Sequence, residues 1–176
     1  MPPYPPMTCR WGRMGLLMTL QGIFKQPRNN LKMRPIYQTK FGGSDKPEAE
    51  QGDCMRACIA SIFEIGLEDA PDFAGSINGG GWFFRLQKWL RQRNLSVLML
   101  PAKPFDVPAG YCMAAVKSLT LPNPDDGHMV VVKNGLLAHD PNLANAGRML
   151  DEYVVTEYWA FTCLDPSTVS LLGDSK

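Results

Sequence analysis

No stretch of this chain approaches the roughly 20 consecutive apolar residues that a bilayer-spanning helix needs, so no membrane association is expected. No internal repeat is visible, and five cysteines (Cys9, Cys54, Cys58, Cys112 and Cys163) are too few and too scattered for a disulfide framework. Reduced thiols in a cytoplasmic setting are the expectation. Histidine is scarce: His128 and His139 are the only two, so any imidazole base must be one of them. Acidic residues are missing from the first 34 positions, which carry six basic ones; the remainder has twelve basic and seventeen acidic residues, a net charge of −5. A mildly acidic body is a poor partner for nucleic acid, and none is expected.

What is present is ordinary globular material. Hydrophobic residues are 45% and charged residues 20% of 176, enough for one compact unit with a real core. The segment Gly15–Leu20, GLLMTL, lies behind Arg10 and Arg13 like a short signal-peptide core but has no small-x-small cleavage site. Residues 1–32, with their prolines and aperiodic methionines, read as a poorly ordered extension. A start of the native protein at Met33 is the competing explanation for them. A domain over 33–165 and a tail over 166–176 complete the division.

From Met33, MRPIYQTKF reads as a short first strand. Asp53 is a good helix N-cap, and CMRACIASIFEI, apolar almost all round, predicts a central buried helix stopped by Gly66. LEDAPDF predicts a short helical turn, and SINGGG a loop. WFFRLQKWLRQRN predicts an amphipathic helix with Trp82, Leu86, Trp89 and Leu90 on one stripe, its basic face in solvent. The runs LSVLML, GYCMAAV, HMVVV, LLAHD and YVVTEYWAFTCL are β-branched or aromatic and separated by Pro, Gly, Asn and Asp, the pattern of an antiparallel sheet. Helices first and strands later give an α+β fold with the Cys54 helix packed on the sheet.

A thiol is a useful nucleophile only as thiolate, and a helix N-terminus favours negative charge through unpaired N–H groups and the helix dipole. Cys54 directly follows the expected cap; Cys58, one turn deeper, is expected in the core. Both histidines lie in GHMVVVKNGLLAHDPN, where Asn134-Gly135 marks a hairpin whose loop type decides which residues face one another. A two-residue turn pairs Lys133 with Leu136 and His128 with Pro141, with His139 sharing the face of His128; the two histidines could then join Cys54 and Cys58 as zinc ligands. A three-residue loop with a glycine bulge pairs Val132 with Leu136 and sets His128 opposite Asp140, so that the carboxylate could orient the ring toward Cys54. Gln51 could supply an oxyanion donor beside the Cys54 N–H. Purely structural histidines and thiols are the bland alternative.

With these residues assembled, the chain resembles the papain-like cysteine peptidases. In layout it is similar to bacteriocin-processing peptidases, where a Gln precedes an Asp-Cys at the central helix and a Gly-His strand and an Asp-Pro follow. The matching residues are Gln51, Asp53-Cys54, Gly127-His128 and Asp140-Pro141. YQTKFG, GDCMRACIASIFEI, EDAPDF, GYCMAAV and GHMVVVKNGLLAHDPN also resemble small papain-like proteins of bacteria and phages that start near the position of Met33, over about 33–161. The resemblance implies a papain-like fold and a Cys54, His128, Asp140 triad with Gln51 as oxyanion residue. Gln51 stands closer to Cys54 than the family pattern has it. The activity implied is thiol hydrolysis of an amide, peptide or isopeptide bond in a peptide or protein substrate, without cofactor or metal. The rival is a binding module with an unused triad, such as a phage-borne inhibitor of a host protein.

Overall fold

The structure is a computed structural model and describes residues 33–73, 81–103, 106–123 and 125–164. The expected extension over 1–32, the tail over 166–176 and most of the SINGGG loop lie outside the described residues. Helix α1 spans Cys54–Phe63 and helix α2 Gly81–Arg91. The strands are β1 (Leu95–Pro101), β2 (Tyr111–Lys117), β3 (Gly127–Lys133), β4 (Leu136–His139) and β5 (Val155–Cys163). They form one antiparallel sheet in the order β1-β5-β2-β3-β4, on which the helices pack: an α+β architecture.

Alternation along the strands builds a core on each face. Val97, Met113, Met129, Val131 and Trp159 point to the helices, meeting Cys58, Ile59 and Ala60 of α1 and Leu86 and Leu90 of α2. Cys112, Ala114, Val116, Val130, Val132 and Tyr158 form the opposite core with Tyr153. This two-sided burial explains why HMVVV is continuously apolar rather than alternating. The expected stripe of α2 is inward: Trp82 stacks on Trp159 at 5.2 Å, and Trp89 meets Phe63 edge-on at 5.5 Å. Truncating Leu86 or Leu90, both fully buried, to alanine is expected to cost about 2–5 kcal/mol.

Three local expectations are corrected. The segment 33–41 is not a strand, because its polar backbone groups go elsewhere. The Ile36 N–H donates to Ser61 Oγ, the Ile36 carbonyl meets His139, and the Gln38 N–H donates to the Pro141 carbonyl. Helix α1 ends three residues before Gly66. Glu64 takes the left-handed conformation (φ 54°), and the Ile65 N–H closes back on the Ala60 carbonyl, a Schellman-type stop. Asp53 stands at the N-cap position but does not cap with its side chain. Its carboxylate instead accepts from the Thr39 N–H, the Thr39 hydroxyl and the Lys40 N–H, at 2.8, 2.7 and 2.9 Å, tying 39–40 to the helix mouth.

Candidate active site

Asn134 and Gly135 both have positive φ (50° and 82°), which a two-residue hairpin turn requires and which Asn-Gly tolerates. Lys133 pairs with Leu136 and Val132 with Leu137, as a tight turn dictates. Val131 then pairs with His139, so Ala138 is an extra residue in β4. The hairpin thus has the two-residue turn considered above, while beyond the bulge it has neither expected pairing and shares with the three-residue register only the face relation of His128 and Asp140. Paired residues share a face of the sheet, so His139 falls on the face of Val131. Asp140, one residue on, falls on that of Val130 and, by alternation, His128. Paired without the bulge, Val131 would stand opposite Ala138 and the parity would be reversed.

The result is a short contact: His128 Nε2 lies 2.8 Å from Asp140 Oδ1, and both side chains are almost wholly buried. Three further donors hold the carboxylate. The Asn142 N–H reaches Oδ1 at 2.7 Å, and Asn145 Nδ2 and the Tyr153 hydroxyl reach Oδ2 at 3.0 and 2.6 Å. Asp140 therefore accepts at both oxygens and cannot swing away without breaking several bonds.

Helix α1 delivers the thiol. Cys54 is its first residue and half-buried, and it lies beside His128, where its sulfur helps to raise the imidazole's pKa. With Nε2 on Asp140, the nitrogen left for sulfur is Nδ1. The segments preceding the two residues are also joined: the Ser44 N–H donates to Asp126, the residue before Gly127-His128. Arg56 fastens the other flank by donating to the Ala70 and Glu68 carbonyls.

Electrostatics follow from these contacts. Burial alone would lower the pKa of His128, but the hydrogen bonds with Asp140 and Cys54 and their negative charge outweigh it, and the imidazolium is pushed up to about 9. Burial would likewise raise Asp140, yet the hydrogen bond and charge of His128, then Tyr153 and the Asn142 N–H, hold it below the usual carboxylate value. The Tyr153 phenol is raised by burial and by the adjacent carboxylate, so it remains a donor. Cys58 is fully buried, its thiol donating to the Met129 carbonyl at 3.3 Å. Burial, then the charges of Cys54 and Asp140, push it well up.

The other sequence candidates lie apart. His139 is buried on the opposite face, with Nε2 2.8 Å from the Ile36 carbonyl and its ring edge-on to Tyr37. Cys54, Cys58, His128 and His139 do not converge as zinc ligands: among the described residues, no group of three or more His, Cys, Asp or Glu side chains is arranged to hold a metal ion. Nor is any described helix long and apolar enough to cross a membrane. Gln51 is buried, its amide donating to the Lys46 carbonyl at 3.1 Å, and it borders a small cavity with Lys40, Asp53, Met55 and Phe73.

Gln38 was missed. It is buried, and its amide donates at 3.0 Å to the Lys40 carbonyl, which also accepts the Asp53 N–H one residue before Cys54. Its Oε1 is buried without a hydrogen-bond partner. The signal was available in YQTKFG, read only as a strand. Asn145 and Tyr153 carried no such signal, since their role depends on the path of the loop after β4. Compared with known proteins, the chain matches no family model, no curated protein and no solved structure.

Proposed function

We propose that the chain is a thiol hydrolase with a papain-like site, acting on an amide, peptide or isopeptide bond of a peptide or protein. One observation carries the reading: an imidazole held at 2.8 Å by a buried carboxylate and standing beside a helix-initial cysteine. In this reading Cys54 sulfur attacks the carbonyl carbon and His128 protonates the leaving amine. The thioester is then hydrolysed by a water that gives its proton back to His128. Asp140 fixes the ring so that Nδ1 addresses sulfur throughout, as the third member of nucleophile–base–orienter constellations does.

The tetrahedral oxyanion needs donors aimed at it before the reaction begins. The Cys54 N–H, in a first helical turn that the Asp53 side chain does not cap, is one. The second is a side-chain amide, Gln51 or Gln38. Gln38 shares an acceptor with the Asp53 N–H, which brings it nearer by hydrogen-bond connectivity than Gln51, whose amide serves Lys46. Losing a working oxyanion donor reduces turnover by about 10²–10³-fold. The expected outcome is that Gln38→Ala shows this loss and Gln51→Ala a smaller one; the reverse order would restore Gln51.

One observation favours the rival binding module: both glutamine amides are turned to backbone carbonyls. Cys54→Ala used as bait in a lysate separates the readings. A hydrolase is expected to release cleaved product as wild type and to retain intact substrate as the variant. A binding module holds the same intact partner in both forms.

A further inference from the structure

We propose that Cys58 is a resolving thiol for Cys54: after peroxide oxidises Cys54, the two residues close a reversible disulfide within α1 that shields the nucleophile from irreversible oxidation. The inference rests on the proposed reactivity of Cys54 and adds to it a role for a buried cysteine that hydrolysis does not use.

The geometry is that of consecutive helical turns. Cys54 and Cys58 are four residues apart in α1, which puts their α-carbons about 6 Å apart, inside the 4.4–6.8 Å range of disulfides. Their β-carbons, roughly 5–6 Å apart at this spacing, must approach by about 1–2 Å, so the first turn has to loosen. It can do so at the helix end. Cys54 is the first residue of α1, where N–H groups have no intrahelical acceptor, and the carboxylate that could cap that turn is engaged with Thr39 and Lys40. The Cys58 thiol makes one weak hydrogen bond, to the Met129 carbonyl, and turning toward Cys54 breaks it while the rest of the residue stays in the core.

The two thiols are chemically unlike. Cys54 is half-buried beside a protonated imidazole, accessible to a small oxidant. Cys58 has no solvent exposure and stays a neutral thiol, so it is inert until its neighbour is oxidised. The steps balance. Cys54 thiolate attacks a peroxide oxygen, the O–O bond breaks, and the departing hydroxide takes the proton of His128 to leave as water. Cys58 sulfur then attacks the sulfenic sulfur, the S–O bond breaks, and the proton from Cys58 passes to the departing hydroxide, a second water. One S–S bond has formed, two thiols have lost two electrons, and hydrogen peroxide has gained them.

Peptide mapping of the full chain tests this, because Arg56 lies between the two cysteines. Trypsin separates 41–56, carrying Cys54, from 57–85, carrying Cys58, unless a disulfide joins them. After brief treatment with equimolar hydrogen peroxide and blocking of free thiols, the joined pair is expected, and a thiol reductant should release it with full return of Cys54 alkylation. Under excess hydrogen peroxide, Cys58→Ala, with Cys58→Ser as a second variant should the first not fold, is expected to accumulate sulfinic or sulfonic Cys54 that reductant does not restore. If wild-type Cys54 alkylates rapidly but peroxide yields only those overoxidised forms, or a disulfide to another cysteine or another chain, the resolving role is overturned and the hydrolase reading stands. If Cys54 is inert to alkylator and peroxide alike, both fall.

Discussion

His128 and His139 flank one hairpin, are buried to nearly the same extent, and each has a ring nitrogen 2.8 Å from an oxygen. Their partners differ. His139 meets a backbone carbonyl, a neutral acceptor that fixes a tautomer and closes a buried polar group. His128 meets a carboxylate held by three other donors and, on its other side, a thiol at a helix start. Burial and distance alone therefore do not mark a histidine as chemically active; what matters is whether the acceptor carries charge and whether the second nitrogen has something to act on.

The largest expected effect is on that contrast. His128→Ala is expected to lower Cys54-dependent turnover by about 10²–10⁴-fold, the usual contribution of a general acid–base group. His139→Ala is expected to leave turnover nearly unchanged while lowering stability by about 1–3 kcal/mol, the cost of orphaning the buried Ile36 carbonyl. Turnover and a thermal melt on both variants check this. Next in size is Asp140→Asn, for which a loss in turnover of order 10²–10⁴ is expected because the ring loses its orienting acceptor.

Smaller effects follow. Tyr153→Phe removes one of the donors to Asp140 and is expected to cost about 1–2 kcal/mol of stability and a several-fold loss in turnover. The pair should also make stability depend on pH in a defined sense. The folded-state pKa of His128 is raised from 6.5 to about 9, so its contribution is complete below 6.5 and is lost as pH rises through 9. Asp140 is lowered from 3.8, so its contribution is present above 3.8 and fades as pH falls below it. Denaturant melts across this range should fall off above 6.5 in wild type and flatten in His128→Gln.

The strands, both helices and the Asn-Gly turn were legible in the sequence because each rests on a local pattern: alternation or continuous β-branched runs, an apolar stripe, two residues that tolerate positive φ. The pairing of His128 with Asp140 was open to inference because only two histidines compete. The bulge was not, since Ala138 has no conformational signature, and it decides whether His128 shares a face with Asp140. The fate of the Asp53 carboxylate was also hidden: Thr39 and Lys40 win it from the helix through contacts that depend on the packing of 33–41. Asn145 and Tyr153 converge on Asp140 only through the loop after β4, which no periodicity predicts.

The most direct measurement is the rate at which iodoacetamide alkylates Cys54 near neutral pH, followed by mass mapping of the 41–56 peptide in wild type, His128→Ala and His139→Ala. An imidazolium beside the sulfur should make Cys54 the first thiol labelled and faster than free cysteine, an advantage lost in His128→Ala and kept in His139→Ala. A Cys54 no faster than free cysteine, or a rate indifferent to His128, would contradict the account.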